Sequence, residues 1–303
     1  MHSPELRPRT VGEILDAAFK LYTANIRKLL LIATVVFIPI AVIQLIVTAG
    51  SGLGQIDILT GDFLADPSAG LPSGLFAFLA GSVALGLIGV IGSLFVQGAS
   101  IKLFAGAYHG VDESWQSSIR FGIDNSLRIL GTALISSIVA GVALFPFVAP
   151  GVWLWTSWYV AIPALLIEGA GVTRALSRSF ALVRQRFWPV LGTGLLAWLI
   201  SQVVVQLIGV VVTLFGLVPR ITDAASTGGL GSGLLGLSTL ASAVGSIVTV
   251  PFLAAVAVSL YFDLRVRFEG FDLEMLGRSA VESGEVPEGF EPEPGPDDPF
   301  GLD

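Results

Sequence analysis

The sequence predicts an all-α protein: a six-span integral membrane helix bundle, built as three pseudo-repeats of an interfacial amphipathic helix plus a transmembrane hairpin. Three observations carry that expectation. Hydrophobic residues make up 53% of the 303 and charged residues 13%, with mean hydropathy +0.83, outside the balance of a soluble domain. Six apolar runs without a central charge approach or exceed the ~20 residues that a helix needs to cross hydrocarbon. Finally, Gly171–Ile200 reads as a basic amphipathic helix that turns into a spanning one, and the same pattern opens the chain.

In chain order, Thr10 caps a helix whose N3 residue is Glu13, the spacing of a capping box. Val11, Ile14, Leu15, Ala18, Phe19, Tyr22 and Ile26 share one face of that helix. Leu29–Thr48 is the first span. Its long apolar run and the amphipathic segment before it mark an uncleaved anchor, not a signal peptide. Ala49–Ser73 holds Asp57, Asp62 and Asp66 but no Lys or Arg, and is expected outside. Gly74–Ile101 returns, with Gly86, Gly89 and Gly92 as a stripe for close helix approach.

Ser114–Ser126 is a weaker copy of the amphipathic element, with Trp115, Ile119 and Ile123 on one face. Leu127–Val148 and Val152–Ile167 form the second hairpin, with Trp153, Trp155 and Trp158 as an aromatic belt towards its outer end. The third copy places Val172, Ala175, Leu176, Phe180, Val183 and Phe187 on its apolar face. A shift of 161 residues lays Val11 on Val172, Phe19 on Phe180 and Tyr22 on Val183. Phe19 and Phe180 are therefore expected at equivalent buried positions. Trp188–Leu217 and Leu234–Leu264 are the last spans, joined by the Gly/Ser-rich Val218–Gly233.

Charge fixes the expected orientation. Of 16 Lys and Arg, only Arg220 falls in a segment read as outside. That asymmetry predicts a multi-pass protein of the plasma membrane with both termini cytoplasmic. The segment Val266–Asp303 carries 11 acids against two arginines, a net of −9, whereas the remainder holds 14 bases and 12 acids, a net of +2. Residues 1–276 are thus the membrane domain, and 277–303, acidic and rich in Pro and Gly, a disordered cytoplasmic tail. The absence of Cys removes thiolate chemistry and disulfides.

The last span runs into LYFDLRVRFEGFDLEML at Leu260–Leu276. Together with the arginine-rich run Arg174–Trp188 and the opening RTVGEILDAAF at Arg9–Phe19, this resembles the bacterial glycerophosphoryl diester phosphodiesterase membrane domain family. The resemblance covers roughly residues 9–276 and implies a membrane module. Members of that family fused to a phosphodiesterase barrel carry a His/Glu/Asp metal site. Here the only histidines are His2 and His109, so that activity is not carried over.

No catalytic constellation, metal site or phosphate loop is legible, so the expected protein is not an enzyme and takes no cofactor. The spans carry no central ionisable residue, which argues against a proton-coupled pump or a voltage sensor. Gln44, Gln97, Gln202 and Gln206 are the polar exceptions. Gln202 and Gln206, one turn apart, are expected to hydrogen-bond between helices, with a polar cavity as the alternative. Arg174, Arg178, Arg184 and Arg186 form the densest cationic group, a candidate site for an anionic lipid headgroup. Asp263, Arg265, Arg267, Glu269 and Asp272 are placed to close the cytoplasmic face instead, by pairing with that cluster. The expected partners are membrane phospholipids, anionic ones among them, and a protein partner the sequence does not identify. No nucleic acid is implied, and the oligomeric state is open. Two functional classes follow: a lipid-interacting scaffold or regulatory module, and a permease-like transporter of a lipid or small amphiphile.

Overall fold

The computed structural model describes residues 9–50, 75–108, 110–144, 148–222 and 230–269. Residues 51–73 of the first expected outer loop, His109, Asp272 and the tail 277–303 lie outside the described residues, whereas 218–222 and 230–233 of the second expected loop are helical, prolonging the spans on either side. Over the described residues the chain is helical and without strands: α1 Val11–Ala24, α2 Ile26–Gly50, α3 Leu75–Tyr108, α4 Trp115–Asp124, α5 Ser126–Leu144, α6 Val148–Ser157, α7 Ala161–Ile167, α8 Val172–Arg184, α9 Phe187–Thr222 and α10 Leu230–Glu269. Among the described residues six stretches are long and apolar enough to cross a membrane: Ile26–Val47, Leu79–Tyr108, Ser126–Leu144, Val148–Ile167, Phe187–Phe215 and Gly236–Phe268. In the most apolar windows of the second and fifth, only 11% is buried inside the protein. Flanks so apolar and so open call for hydrocarbon as their solvent, and helices satisfy their backbone within it. The chain is a multi-pass membrane protein.

It divides into two compact units, Met1–Ile32 with Leu94–Leu199 and Pro251–Asp303, and Ala33–Ser93 with Ile200–Val250. The first unit is organised around the end of α10, where every residue from Ala254 to Leu264 is buried. A helix segment apolar on all sides belongs inside a bundle, and the few polar groups here face neighbours. Tyr261 packs edge-on to Phe262, and Phe262 stacks on Tyr108 at 4.2 Å between ring centroids.

Around this post, three short helices each turn into a long one. The capping box forms as its spacing predicts: the Thr10 hydroxyl accepts from the Glu13 amide, and Glu13 accepts from the Thr10 amide at 2.8 Å. Ser114 caps α4 in the same sense, accepting from the Ser117 amide. At the C-terminal ends, Asn25 and Asn125 turn the chain into α2 and α5. Each donates its side-chain amide to the carbonyl one turn back, Leu21 or Phe121. The α8–α9 junction uses Gln185 and Arg186 instead. The burial register around the three turns coincides. Two turns ahead lie Ala18, Ser118 and Ser179, each wholly buried. One turn ahead come Tyr22, Gly122 and Val183, and beyond the turn Leu29, Ile129 and Val190, then Ile32, Thr132 and Thr193, all buried. Burial pushes the Tyr22 phenol above its ordinary pKa of 10.0.

Two expected faces are corrected by this register. Phe19 is 58% exposed, and Phe180 is half-buried against the edge of Trp153, so the two are not equivalent. In α1 the line of contact runs through Ile14, Ala18 and Tyr22, and Phe19 lies about 100° round the helix from Ala18. In α4 the buried residues are Ser118 and Gly122, while Ile123 is 57% exposed. A Cβ on Gly122 would already sit 3.4 Å from Ala99 and Phe95. Small residues let backbones approach, and that turns the larger apolar side chains outward.

The fourth span is not one helix. α6 stops at Ser157, and the chain turns through Trp158–Val160 into α7. The Ala161 amide bonds back to Trp158, leaving the Ser157 carbonyl without its helical donor. Pro163, one turn on, has no N–H to offer. The Ser179 hydroxyl of α8 takes up the free Ser157 carbonyl at 2.8 Å. By contrast, α2 and α10 remain helical through Pro39 and Pro251.

Candidate functional site

In the first unit, carboxylates near the ends of the returning spans are each held by a cation. Glu113, between α3 and α4, lies 4.0 Å from Lys102, and both side chains are nearly buried. It also accepts from Ser117 at 2.6 Å, and Lys102 sits over the Phe121 ring. Nearby, Lys28 pairs with Asp112 and donates to the Glu113 carbonyl. Glu168, at the end of α7, receives the Arg178 Nε on both oxygens, at 2.8 and 3.1 Å, and the Tyr261 hydroxyl at 2.8 Å. Asp263, on α10, accepts the Arg9 amide at 2.7 Å and Arg267 Nε at 2.8 Å, while Arg267 donates to the Arg9 carbonyl. One side-chain pair thus reads both backbone groups of a single residue ahead of α1. A buried carboxylate needs such partners to stay ionised.

These contacts separate the residues that the sequence grouped. Arg178 is tied to Glu168, and Asp263 takes Arg267 and the Arg9 backbone rather than any α8 arginine. Arg265 lies with its guanidinium 6.0 Å from the Tyr261 ring. Glu168 and Tyr261, central to this face, were not picked out from sequence. Their signal was available in the acid that ends α7 and the tyrosine of the YFDLR run.

Arg174 and Arg184 are exposed and Arg186 half-exposed, and none of the three makes an ion pair among the described residues. Trp188, on the first turn of α9 and two residues after Arg186, is 77% exposed. Arg128 at the α5 start is different: it donates to the carbonyls of Gly169 and Ala170 beyond α7. Exposed guanidinium groups without an ion pair among the described residues, followed in sequence by an exposed indole, suit the headgroup region of a bilayer.

Two clefts lie among the described residues of the second unit. The glycine stripe of α3 explains one. A Cβ on Gly92 would collide with Ile40 of α2, one on Gly89 would lie 3.8 Å from Gln44, and one on Gly86 would meet nothing within 4 Å. The helices touch at Gly92 and part towards Gly86. Between them lies a space of about 320 Å³ lined by Phe37, Ile40, Gln44, Val90, Ser93 and, from α10, Ser246. α9 and α10 part similarly: Gly245 lies against Val205, whereas Gly209 faces open space. The cleft there, about 480 Å³, is lined by Gln206, Val210, Thr213, Leu214, Ser238 and Ser242. Ser242 borders both. Gln44 donates to the Leu85 carbonyl at 3.3 Å. The interhelical bonds expected of Gln202 and Gln206 do not form among the described residues; both side chains are exposed, and Gln206 borders the larger cleft. The splay of α9 from α10 puts Gln206 at an opening instead of a contact.

Among the described residues no group of His, Asp and Glu is placed to hold a metal ion. Residues 160–264 match a family model described as Domain of unknown function (DUF7847). The matched stretch takes in α8, α9 and most of α10, including Glu168, Arg178 and Tyr261. Comparison with curated proteins and with solved structures finds no match.

Proposed function

We propose that the protein is a non-catalytic, lipid-interacting scaffold or regulatory module of the cell membrane, with both termini cytoplasmic. In this reading it is assembled from three copies of a short interfacial helix plus a hairpin. The coincident burial register at the three turns supports the repeat. So does the extent of the DUF7847 match, which nearly coincides with the third copy. Kinship with the glycerophosphoryl diester phosphodiesterase membrane domain family is part of the same proposal. Its most specific run, around Tyr261 and Asp263, is the buried post of the first unit.

The observation that carries the lipid reading is that Arg174, Arg184 and Arg186 reach solvent without an ion pair among the described residues, with the exposed Trp188 two residues after Arg186. Arg178 supports the fold through Glu168 and leaves the headgroup role to these three. Each base near an anionic surface contributes about 1 kcal/mol, so removing all three is expected to weaken anionic-lipid retention by about two orders of magnitude. Native mass spectrometry of the full chain with phosphatidylglycerol and phosphatidylcholine tests this. The wild type should retain the anionic lipid preferentially, and R174Q/R184Q/R186Q should lose that preference. Equal preference in both proteins overturns the assignment.

A second reading, a permease-like carrier of a lipid or small amphiphile, draws on the polar-lined clefts of the second unit. Movement of a fluorescent lipid between leaflets of proteoliposomes would favour it over the scaffold.

A further inference from the structure

Gln206, Thr213, Ser242 and Ser246 border the two clefts, and none makes a hydrogen bond among the described residues. They belong to spans, where water is scarce and an unpaired polar group is costly. Between them the walls are apolar: Val205, Val210 and Leu214 in one cleft, Phe37, Ile40 and Val90 in the other. A plain alkyl chain would cover those walls and leave the amide and hydroxyls unpaired. A polar solute would pair the hydroxyls and leave the walls bare. Only an amphiphile meets both requirements. None of the described lining residues carries a charge, so a phosphate or ammonium lodged there would have no counter-ion among them at that depth. The volumes, about 480 and 320 Å³, fall in the range of small-molecule sites.

We infer that the clefts of the second unit bind an uncharged glycerolipid, a diacylglycerol-like molecule, through its hydroxyl and ester groups. Gln206 and Ser242 supply both donors and acceptors for these groups, and the apolar walls hold the start of the acyl chains. The site uses no residue of the cationic α8 face and stands whether or not the bound lipid is moved.

The test uses the full-length protein in phosphatidylcholine nanodiscs with a diacylglycerol carrying a diazirine near its glycerol end. Photolabelled peptides are mapped by mass spectrometry. Labelling is expected to concentrate in 200–215 and 236–250. Gly209 lines the larger cleft and a Cβ there would meet nothing within 4 Å, so Gly209→Leu, which places a side chain in the cleft, should abolish labelling of 200–215 while preserving the fold. Gln206→Leu should reduce it about fivefold, what one lost hydrogen bond implies. Gly141→Leu, on α5 where an added Cβ also meets nothing within 4 Å, should change nothing. Labelling unaffected by Gly209→Leu, labelling spread evenly over all lipid-facing spans, or equal labelling by a phosphatidylcholine analogue would each overturn the inference. None of these outcomes depends on the α8 arginines, so the two readings fail separately.

Discussion

At the scale of single residues, charge alone does not decide a role; what each charge touches does. Asp263 is 6% exposed and engages Arg267 and the Arg9 backbone. Removing one partner of a buried pair strands the other, at a cost of about 3–5 kcal/mol. Arg267→Ala is therefore expected to lower the unfolding temperature of the detergent-solubilised chain markedly, whereas Arg174→Ala, exposed and without an ion pair among the described residues, should leave it within about 0.5 kcal/mol of wild type. Tryptophan fluorescence during a thermal ramp reads both. A wild-type transition for Arg267→Ala would show that the Arg9 clamp holds nothing. Tyr261→Phe removes one bond to an ionised carboxylate and should cost less, about 1.5–3 kcal/mol.

At the scale of elements, the short helices dock through their small residues. Ala18, Ser118 and Ser179 are wholly buried two turns before each junction, so a larger side chain there forces backbones apart. Ala18→Leu and Ser118→Leu should each destabilise by about 1–3 kcal/mol. Phe19→Ala, at an exposed position, should be near neutral in detergent, which a chemical denaturation series on the three variants would read. Near-equal effects of Ala18→Leu and Phe19→Ala would contradict the docking register. Ser179 has a second duty at the break between α6 and α7. Ser179→Ala leaves the Ser157 carbonyl unpaired in a buried place and should cost about 1–3 kcal/mol. Ser179→Thr, which keeps the hydroxyl, separates that loss from mere packing.

For the whole molecule, the orientation proposed from the distribution of Lys and Arg has a direct test, made clean by the absence of native Cys. In sealed cells, single cysteines at Ser51 and Ser232 should react with an impermeant thiol reagent, and those at Gln116 and Ser283 should not. Gln116 is chosen for its exposure on α4, since the neighbouring Ser117 is bonded to Glu113. Reaction at Gln116 with protection at Ser51 would invert the topology.

The sequence by itself determined the elements. Six apolar runs, the capping box at Thr10 and Glu13, and the amphipathic run before the fifth span all appear as helices, because hydropathy and capping act over a few neighbouring residues. Which residue of an amphipathic face makes the contact was decided only in three dimensions. Ala18 and Gly122 win over Phe19 and Ile123 because close backbone approach needs the absence of bulk, a property of the partner surface as much as of the helix. The pairing of Arg178 with Glu168, and of Asp263 with Arg267 and Arg9, was likewise a tertiary outcome: acids and bases were countable along the chain, but their separation in space was not. The clefts follow the same logic. Gly86, Gly89 and Gly92 are identical in sequence terms, yet an added Cβ would collide with α2 only at the last of them, because two helices that cross come closest at one level.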